Sequence, residues 1–386
     1  MSLPPFQTIT TGLVVAIVGF FSSFPIVLQG VRQVGATDAQ AASALAAAAI
    51  AMGLTGVFLA LWKRQPISVA WSTPGVALLA VTATPESGFA GAIGAFILAG
   101  ALTVIAGLWR PFARLAAAIP IPLAHAMLAG VLLKITMQPF QGIAEIPLLA
   151  LPVVLTWIAA RFIRPLFAVP AAVIAAAIVT LIHAGGATLP PTLVTPFLLI
   201  APALDPGTAI SIGIPLFIVT MATQNIPGVA VLRSNGYAPE AGHGFTAVGV
   251  ASLLSASFGA PATCLAAITS AMCSGDEAHP DPALRYWAAV FAGLFYAVFG
   301  IFAGVITGFA GLAPTLLLGT LAGIALISVF IKSATAALTP EITREAAAIT
   351  FVVTASGITI LGLGAAVWGL VIGVLLHLLQ TRLGRF

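Results

Sequence analysis

Charge is the scarcest feature of this 386-residue chain, with Asp, Glu, Lys and Arg together at 6%. A soluble domain carries roughly 25% of such residues, so lipid rather than water must be the solvent for most of this surface. Cysteine is nearly absent. Cys264 and Cys273 share one apolar segment and are expected as buried free thiols, since a metal site would need further ligands. The N-terminus, Met1 to Thr10, lacks the basic region of a signal peptide, so the first apolar segment is expected to be retained. No nucleotide loop, metal-ligand cluster or nucleophile–base pair is visible, which argues against an enzyme and leaves no expected cofactor or metal. The net charge is +4, but the basic residues are scattered at segment ends and form no stripe, which excludes nucleic acid as a partner.

What is present is hydrophobicity: 60% of residues are apolar and the mean hydropathy is +1.15. One all-α, polytopic membrane domain is expected over residues 1–386, with the lipid bilayer as its partner. Apolar runs separated by charged or Pro/Gly-rich turns predict fourteen spans, at 11–30, 41–62, 67–83, 88–108, 115–137, 147–163, 166–184, 206–231, 243–258, 260–274, 284–308, 311–332, 345–361 and 363–380. A helix needs about 20 residues to cross the hydrocarbon, and the third and tenth spans are short for that. With both termini cytoplasmic, 12 of the 14 basic residues fall on the inside, Arg110, Arg114 and Arg385 among them, and Arg32 and Lys134 fall outside. That asymmetry supports the orientation.

The chain also repeats itself. Ala171–His183 aligns without a gap on Ala365–His377, Leu128-Ala-Gly130 matches Leu321-Ala-Gly323, and Phe24-Pro25 matches Ile226-Pro227. Pro74 is matched to Pro261. Residues 1–200 and 201–386 are read as two halves of seven spans each. Seven is odd, so the second half enters from the opposite side, an inverted repeat typical of secondary transporters.

In such folds, short segments at matching places in the two halves point to the binding site. Span 3 carries Trp71-Ser72-Thr73-Pro74-Gly75 and span 10 carries Phe258-Gly259-Ala260-Pro261-Ala262-Thr263. Each is expected as an extended stretch, a proline and then a helix, because proline suits the first helical turn. Two half-helices would begin near mid-membrane with their free N–H groups and positive ends converging, a site for an anion. The alternative is a pair of Pro-kinked helices. Span 8 holds the most polar intramembrane cluster, Thr220, Thr223, Gln224 and Asn225. Substrate contact is expected of Gln224 and Asn225, and helix packing of Ser22 and Ser23. Phe20, Phe24, Trp71 and Phe258 are candidates to line the site, with core packing an equally fair reading of each. No Asp or Glu falls mid-span, so no carboxylate proton relay is visible. His125 is the candidate proton-linked group, against the plainer reading of a packing histidine. Lys134 is expected to snorkel outward.

The runs Thr220–Leu232 (with Gln224-Asn225-Ile226-Pro227-Gly228), Phe258–Thr269 and Glu277–Pro282 resemble the benzoate–proton symporter (BenE) family, and the likeness extends over the whole chain. The resemblance implies bacterial inner-membrane uptake of benzoate or a similar small aromatic carboxylate, driven by protons. That family is similar to nucleobase–cation symporters and sulfate-permease-type anion transporters. The relation implies that a core (spans 1–4 and 8–11) moves against a gate (spans 5–7 and 12–14) as an elevator, and points to a homodimer. Nucleobase carriers tend to place an acidic residue in span 8, where this chain has Gln224, which suits an anion better. An inorganic-anion exchanger or channel, or a nucleobase carrier, are the rival readings.

Overall fold

Backbone N–H and C=O groups in hydrocarbon must be paired within the protein, so apolar runs without charge close into helices. The computed structural model describes residues 4–109, 111, 120–185, 194–361 and 363–382. Arg110, Arg114, Arg385 and the start of the expected 115–137 span lie outside the described residues. The elements are α1 (Phe6–Phe21), α2 (Phe24–Gln33), α3 (Asp38–Lys63), β1 (Val69–Trp71), α4 (Thr73–Leu79), α5 (Gly88–Leu108), α6 (Ile121–Glu145), α7 (Pro147–Ile163), α8 (Ala168–His183) and α9 (Pro206–Ser234). They continue with α10 (Ala241–Ala256), β2 (Thr263–Leu265), α11 (Ala267–Ser274), α12 (Tyr286–Ile301), α13 (Ala303–Leu312), α14 (Thr315–Leu338), α15 (Arg344–Ser356), β3 (Thr359–Ile360), β4 (Leu363–Gly364) and α16 (Ala365–Arg382). Among the described residues, nine helical stretches are long and apolar enough to cross a membrane, with α1 and α2 counted as one. The expected spans 3, 6, 9, 10 and 13 correspond to shorter elements.

Local chemistry sets the ends. Thr37 and Gln40 form a reciprocal capping box at the start of α3, and Lys63 closes it in its last turn, each favourable to the helix dipole and its orphan groups. Asp38 and Lys63 are about 38 Å apart along one helix. Ion pairs stand at its two ends: Arg32 with Asp38 at one, and Lys63 with Glu240 at the other, where His243 contacts the same carboxylate. The hydrogen bond from the Lys63 ammonium holds the Glu240 carboxyl below the usual carboxylate range.

Several boundaries differ from the sequence expectation. The expected 284–308 helix breaks at Phe302, between α12 and α13. The expected 311–332 helix lies at Thr315–Leu338, after Pro314. Span 13 stops at Ser356 because Gly357 adopts φ +69, a conformation that ends helices cheaply with glycine. A two-residue hairpin, β3–β4, then leads into α16.

Helices pack in neighbouring pairs: α3 on α12, α1 on α12, α5 on α10, α6 on α14 and α15, and α7 on α8. Without a hydrophobic force between helices in lipid, small residues allow the close approach that dispersion requires. A Cβ on Gly53 of α3 would press into the backbone carbonyl of Gly293 of α12, and the reverse substitution would strike the Gly53 carbonyl. Gly53→Leu is expected to force α3 and α12 apart at about 1–3 kcal/mol. Its melting temperature in lipid nanodiscs should fall clearly, and an unchanged value would mean that this contact does not hold the pair.

Candidate functional site

β1 and β2 pair antiparallel, with Val69 opposite Leu265, Ala70 opposite Cys264 and Trp71 opposite Thr263. Val, Trp and Thr favour extended backbone, and two strands from distant parts of the chain satisfy each other where neither could stand alone in lipid. The pairing continues outward through Ser72 N–H donating to the Ala262 carbonyl at 2.8 Å and Ala266 N–H donating to the Ser68 carbonyl at 3.0 Å. Each strand runs directly into a short helix. Because the strands are antiparallel, α4 and α11 leave opposite ends of the ribbon in opposite directions, each with its N-terminal, positive end toward it.

The first helix start lies where the sequence places it. Ser72 caps α4, its Oγ accepting from Gly75 N–H at 3.1 Å, and Pro74 sits in the first turn. Thr220 Oγ1 of α9 donates to the same Ser72 Oγ at 2.8 Å. Thr73 is half-buried, with Ser72, Pro74 and Gly75 buried.

The second start does not lie at Pro261-Ala262-Thr263. Thr263 belongs to β2, and α11 begins at Ala267 with Ala266 as an N-cap that offers no side-chain bond. Proline is equally at home leading into a strand, where its missing N–H costs nothing, so the proline pattern is ambiguous. The strands start 194 residues apart, as do the helices that follow them, the same spacing as the Ala171/Ala365 match. By that spacing Ser72 corresponds to Ala266 and Pro74 to Ile268. Gly259, at φ +88, packs against Ala44 and Phe89, while Ala260, Pro261 and Ala262 are buried in the approach to β2. Phe258 pairs with Phe197, at 5.9 Å between ring centroids, and its carbonyl accepts from Ser43 Oγ. It stands apart from the other aromatic candidates.

Those candidates do meet. Phe20 lies 5.3 Å from Trp71 and 6.1 Å from Phe24, centroid to centroid, with Phe21 and Phe299 completing the cluster. Trp71 Nε1 donates to Ser23 Oγ at 2.9 Å, and Ser23 donates onward to the Gly19 carbonyl. Ser23 is thus the packing residue expected. Phe20 and Trp71 are wholly buried, whereas Phe21 and Phe24 border an apolar cavity of about 210 Å³ facing Ala176 and Leu317.

α9 contains two π-helical turns, Ala209–Gly213 and Met221–Asn225. Such turns insert one extra residue and re-aim the side chains around it. The second packs against β2 and α6. Within it Asn225 is fully buried; its Oδ1 accepts from Leu265 N–H at 2.8 Å and its Nδ2 donates to Met221 Sδ at 3.2 Å. Asn225 therefore holds β2 rather than facing an open site. Thr223 back-bonds to the Val219 carbonyl. Gln224 is half-buried and its carboxamide bonds to none of the described residues. His125 is half-buried in α6, with Nδ1 enclosed and unpaired.

The sequence reading missed the residues that lock the ribbon in place. Ser68 Oγ donates to Thr269 Oγ1 at 2.8 Å, Ser68 N–H donates to Ser270 Oγ at 3.2 Å, and Thr263 N–H donates to Ser252 Oγ at 2.9 Å. Serine and threonine are too common in membrane helices to announce such bonds; the 194-residue spacing was the available signal. Cys264 and Cys273 are buried free thiols, as expected.

The family described as "Benzoate membrane transport protein" matches residues 4–379. The inner membrane protein YdcO of Escherichia coli (strain K12) is 40% identical over 387 residues, covering 99% of this chain and 98% of that protein. The benzoate membrane transport protein of Acinetobacter baylyi is 30% identical over 372 residues, covering 96% and 94%. Among solved structures, the transmembrane domain of a cyanobacterial bicarbonate transporter, BicA, superposes with a TM-score of 0.62 at 15% identity, covering 96% of this chain and 97% of that one. The murine Solute Carrier 26 family member A9 anion transporter gives a TM-score of 0.67 at 13% identity, covering 100% and 69%. These structures share the fold.

Proposed function

The chain belongs to the benzoate membrane transport family and is a multi-pass membrane transporter rather than an enzyme, and we propose that it carries benzoate or a similar small aromatic carboxylate into the bacterial cell with protons. The observation that carries this reading is the ribbon itself. Two short helices begin at the opposite ends of one buried ribbon, each with its positive end toward it, and neither strand of the ribbon carries a carboxylate that would compete with an anion. The substrate carboxylate meets the start of α11 at Ala267, and Gln224 donates a hydrogen bond from the second π-turn. Asn225 acts as a positioning residue, fixing β2 and hence the start of α11. The ring lies toward the aromatic edge formed by half-buried Phe21 and buried Phe24.

The two sequence halves act as inverted repeats, and transport is by alternating access of an elevator type. The core comprises α1–α5, with β1, and α9–α13, with β2; the gate comprises α6–α8 and α14–α16. Pairing of α3 with α12 and α5 with α10, against α6 with α14 and α15, supports this division. His125, with its unpaired buried nitrogen on the gate helix that packs on the second π-turn, is assigned to proton coupling. The face bearing Lys63 is cytoplasmic by the positive-inside rule, in the inner membrane.

The test is radiolabelled benzoate uptake into proteoliposomes with an imposed inward proton gradient, against protein-free liposomes. Protein-dependent accumulation that collapses with a protonophore is the expected result. If benzoate neither accumulates nor competes while bicarbonate or sulfate moves, the substrate assignment falls. Inorganic-anion transport would replace it, in keeping with the bicarbonate and anion transporters that share the fold.

A further inference from the structure

Few polar contacts join core to gate. Phe21 and Phe24 of the core face Ala176 and Leu317 of the gate across the apolar cavity of about 210 Å³. Among the described residues every ion pair joins core to core or gate to gate. One side-chain hydrogen bond crosses the seam. Gln29 Nε2 of α2 donates to Gln138 Oε1 of α6 at 3.3 Å, and no other side-chain hydrogen bond among the described residues joins the two parts.

The surroundings make room for this bond. α2 packs against α14, and Gln138 lies over Gly319 of α14. A Cβ on Gly319 would come within 2.6 Å of Gln138 Oε1, and the three atoms nearest to it all belong to the Gln138 side chain. The bare glycine is therefore the recess that admits the amide. Both glutamines are half-buried, where a hydrogen bond is stronger than in water. Yet Gln29 Oε1 is enclosed and has no partner. A buried acceptor left unpaired is unfavourable, which offsets part of what the amide bond contributes. Release of Gln29 from the gate also frees this oxygen, so the pair can part without a large loss.

The pair stands at the flank of an opening. Gln33, one turn beyond Gln29, and Lys134, one turn before Gln138, both line a crevice of about 490 Å³ between core and gate on the face that carries Asp205. Amide pairs are common as glue between membrane helices, and within the core or within the gate this one would be no more than that. Across a seam that shears, such a bond is made in one position and broken in another. We propose that Gln29 and Gln138 form a latch that favours the present position of the core on the gate, with Gly319 as the recess into which it closes. The proposal rests on the elevator reading above and concerns the balance between conformations, not the benzoate site.

Glu86 of the core and Glu145 of the gate are exposed, and the native cysteines are buried, so spin labels on Glu86→Cys and Glu145→Cys report core against gate. In full-length labelled protein in nanodiscs, without substrate, double electron–electron resonance is expected to give two distances, one of them that of this structure. Gln138→Leu should lower the share at that distance, relative to the other, about fourfold, the scale of one neutral hydrogen bond between helices. Gln29→Leu should do the same. The double variant should do no more than either alone, because both substitutions remove one shared bond. Gly319→Ala keeps both amides but displaces Gln138, and it should shift the ratio in the same direction. An unchanged ratio in Gln138→Leu, or in Gly319→Ala if the leucine variant does not fold, overturns the latch and leaves the elevator standing. Additive shifts in the double variant also overturn it. A single distance in every sample overturns latch and elevator together. Benzoate uptake by the unlabelled parent tests the substrate reading separately.

Discussion

Asn225→Ala is expected to destabilise the protein by about 1–3 kcal/mol, because a buried backbone N–H is left without its acceptor. The N–H is that of Leu265, which points away from β1 and has Asn225 Oδ1 as its partner at 2.8 Å. Water cannot readily replace the amide, since Asn225 is 0% exposed. The consequence should reach function. β2 leads directly into α11, so a loosened β2 lets the start of α11 drift, and misplacement of this order weakens a preorganised site severely. Thermal unfolding in nanodiscs and benzoate uptake are the two readouts. Loss of both is the expected outcome; a normal melting temperature with normal uptake would show that the amide does not hold the strand.

Gln224→Ala should behave in the opposite way. Its carboxamide is half-buried and bonds to none of the described residues, so little in the fold depends on it, and the melting temperature should stay within error of the parent. If Gln224 donates to the substrate, kcat/KM for benzoate uptake should fall about tenfold or more, the scale of a hydrogen bond to a charged group. A rise in KM alone would mean uniform binding of the carboxylate. A fall in kcat as well would mean that the bond strengthens as the substrate is carried across. Unchanged kinetics would remove Gln224 from the site and leave the π-turn with a purely packing role. Adjacent residues in one turn are thus separated by experiment: Asn225 by stability, Gln224 by kinetics without stability.

The contrast shows where sequence reasoning stopped. Gln224 and Asn225 are adjacent polar residues in an apolar run, and by composition they deserve the same role. The π-turn sends one to the β2 backbone and leaves the other unpaired, and no residue type announces that extra residue in the helix. Likewise Pro74 and Pro261 are the same residue in similar surroundings. One opens α4, and the other leads into β2, six residues before α11.

By itself the sequence determined the solvent, the class and the family. A chain with 6% charge cannot cover itself for water, apolar runs in lipid have helices as their paired form, and the Gln224–Gly228 run carried the resemblance to benzoate transporters. It also located the first half-helix, because Ser72 and Pro74 encode a helix start through their own local bonds. Tertiary structure alone decided the rest: that Val69–Trp71 is a strand, that its partner is Thr263–Leu265, and that α11 begins at an alanine. Those features depend on hydrogen bonds between residues some 194 positions apart, and a strand of three residues has no periodicity and no local energy that could reveal it before its partner is known.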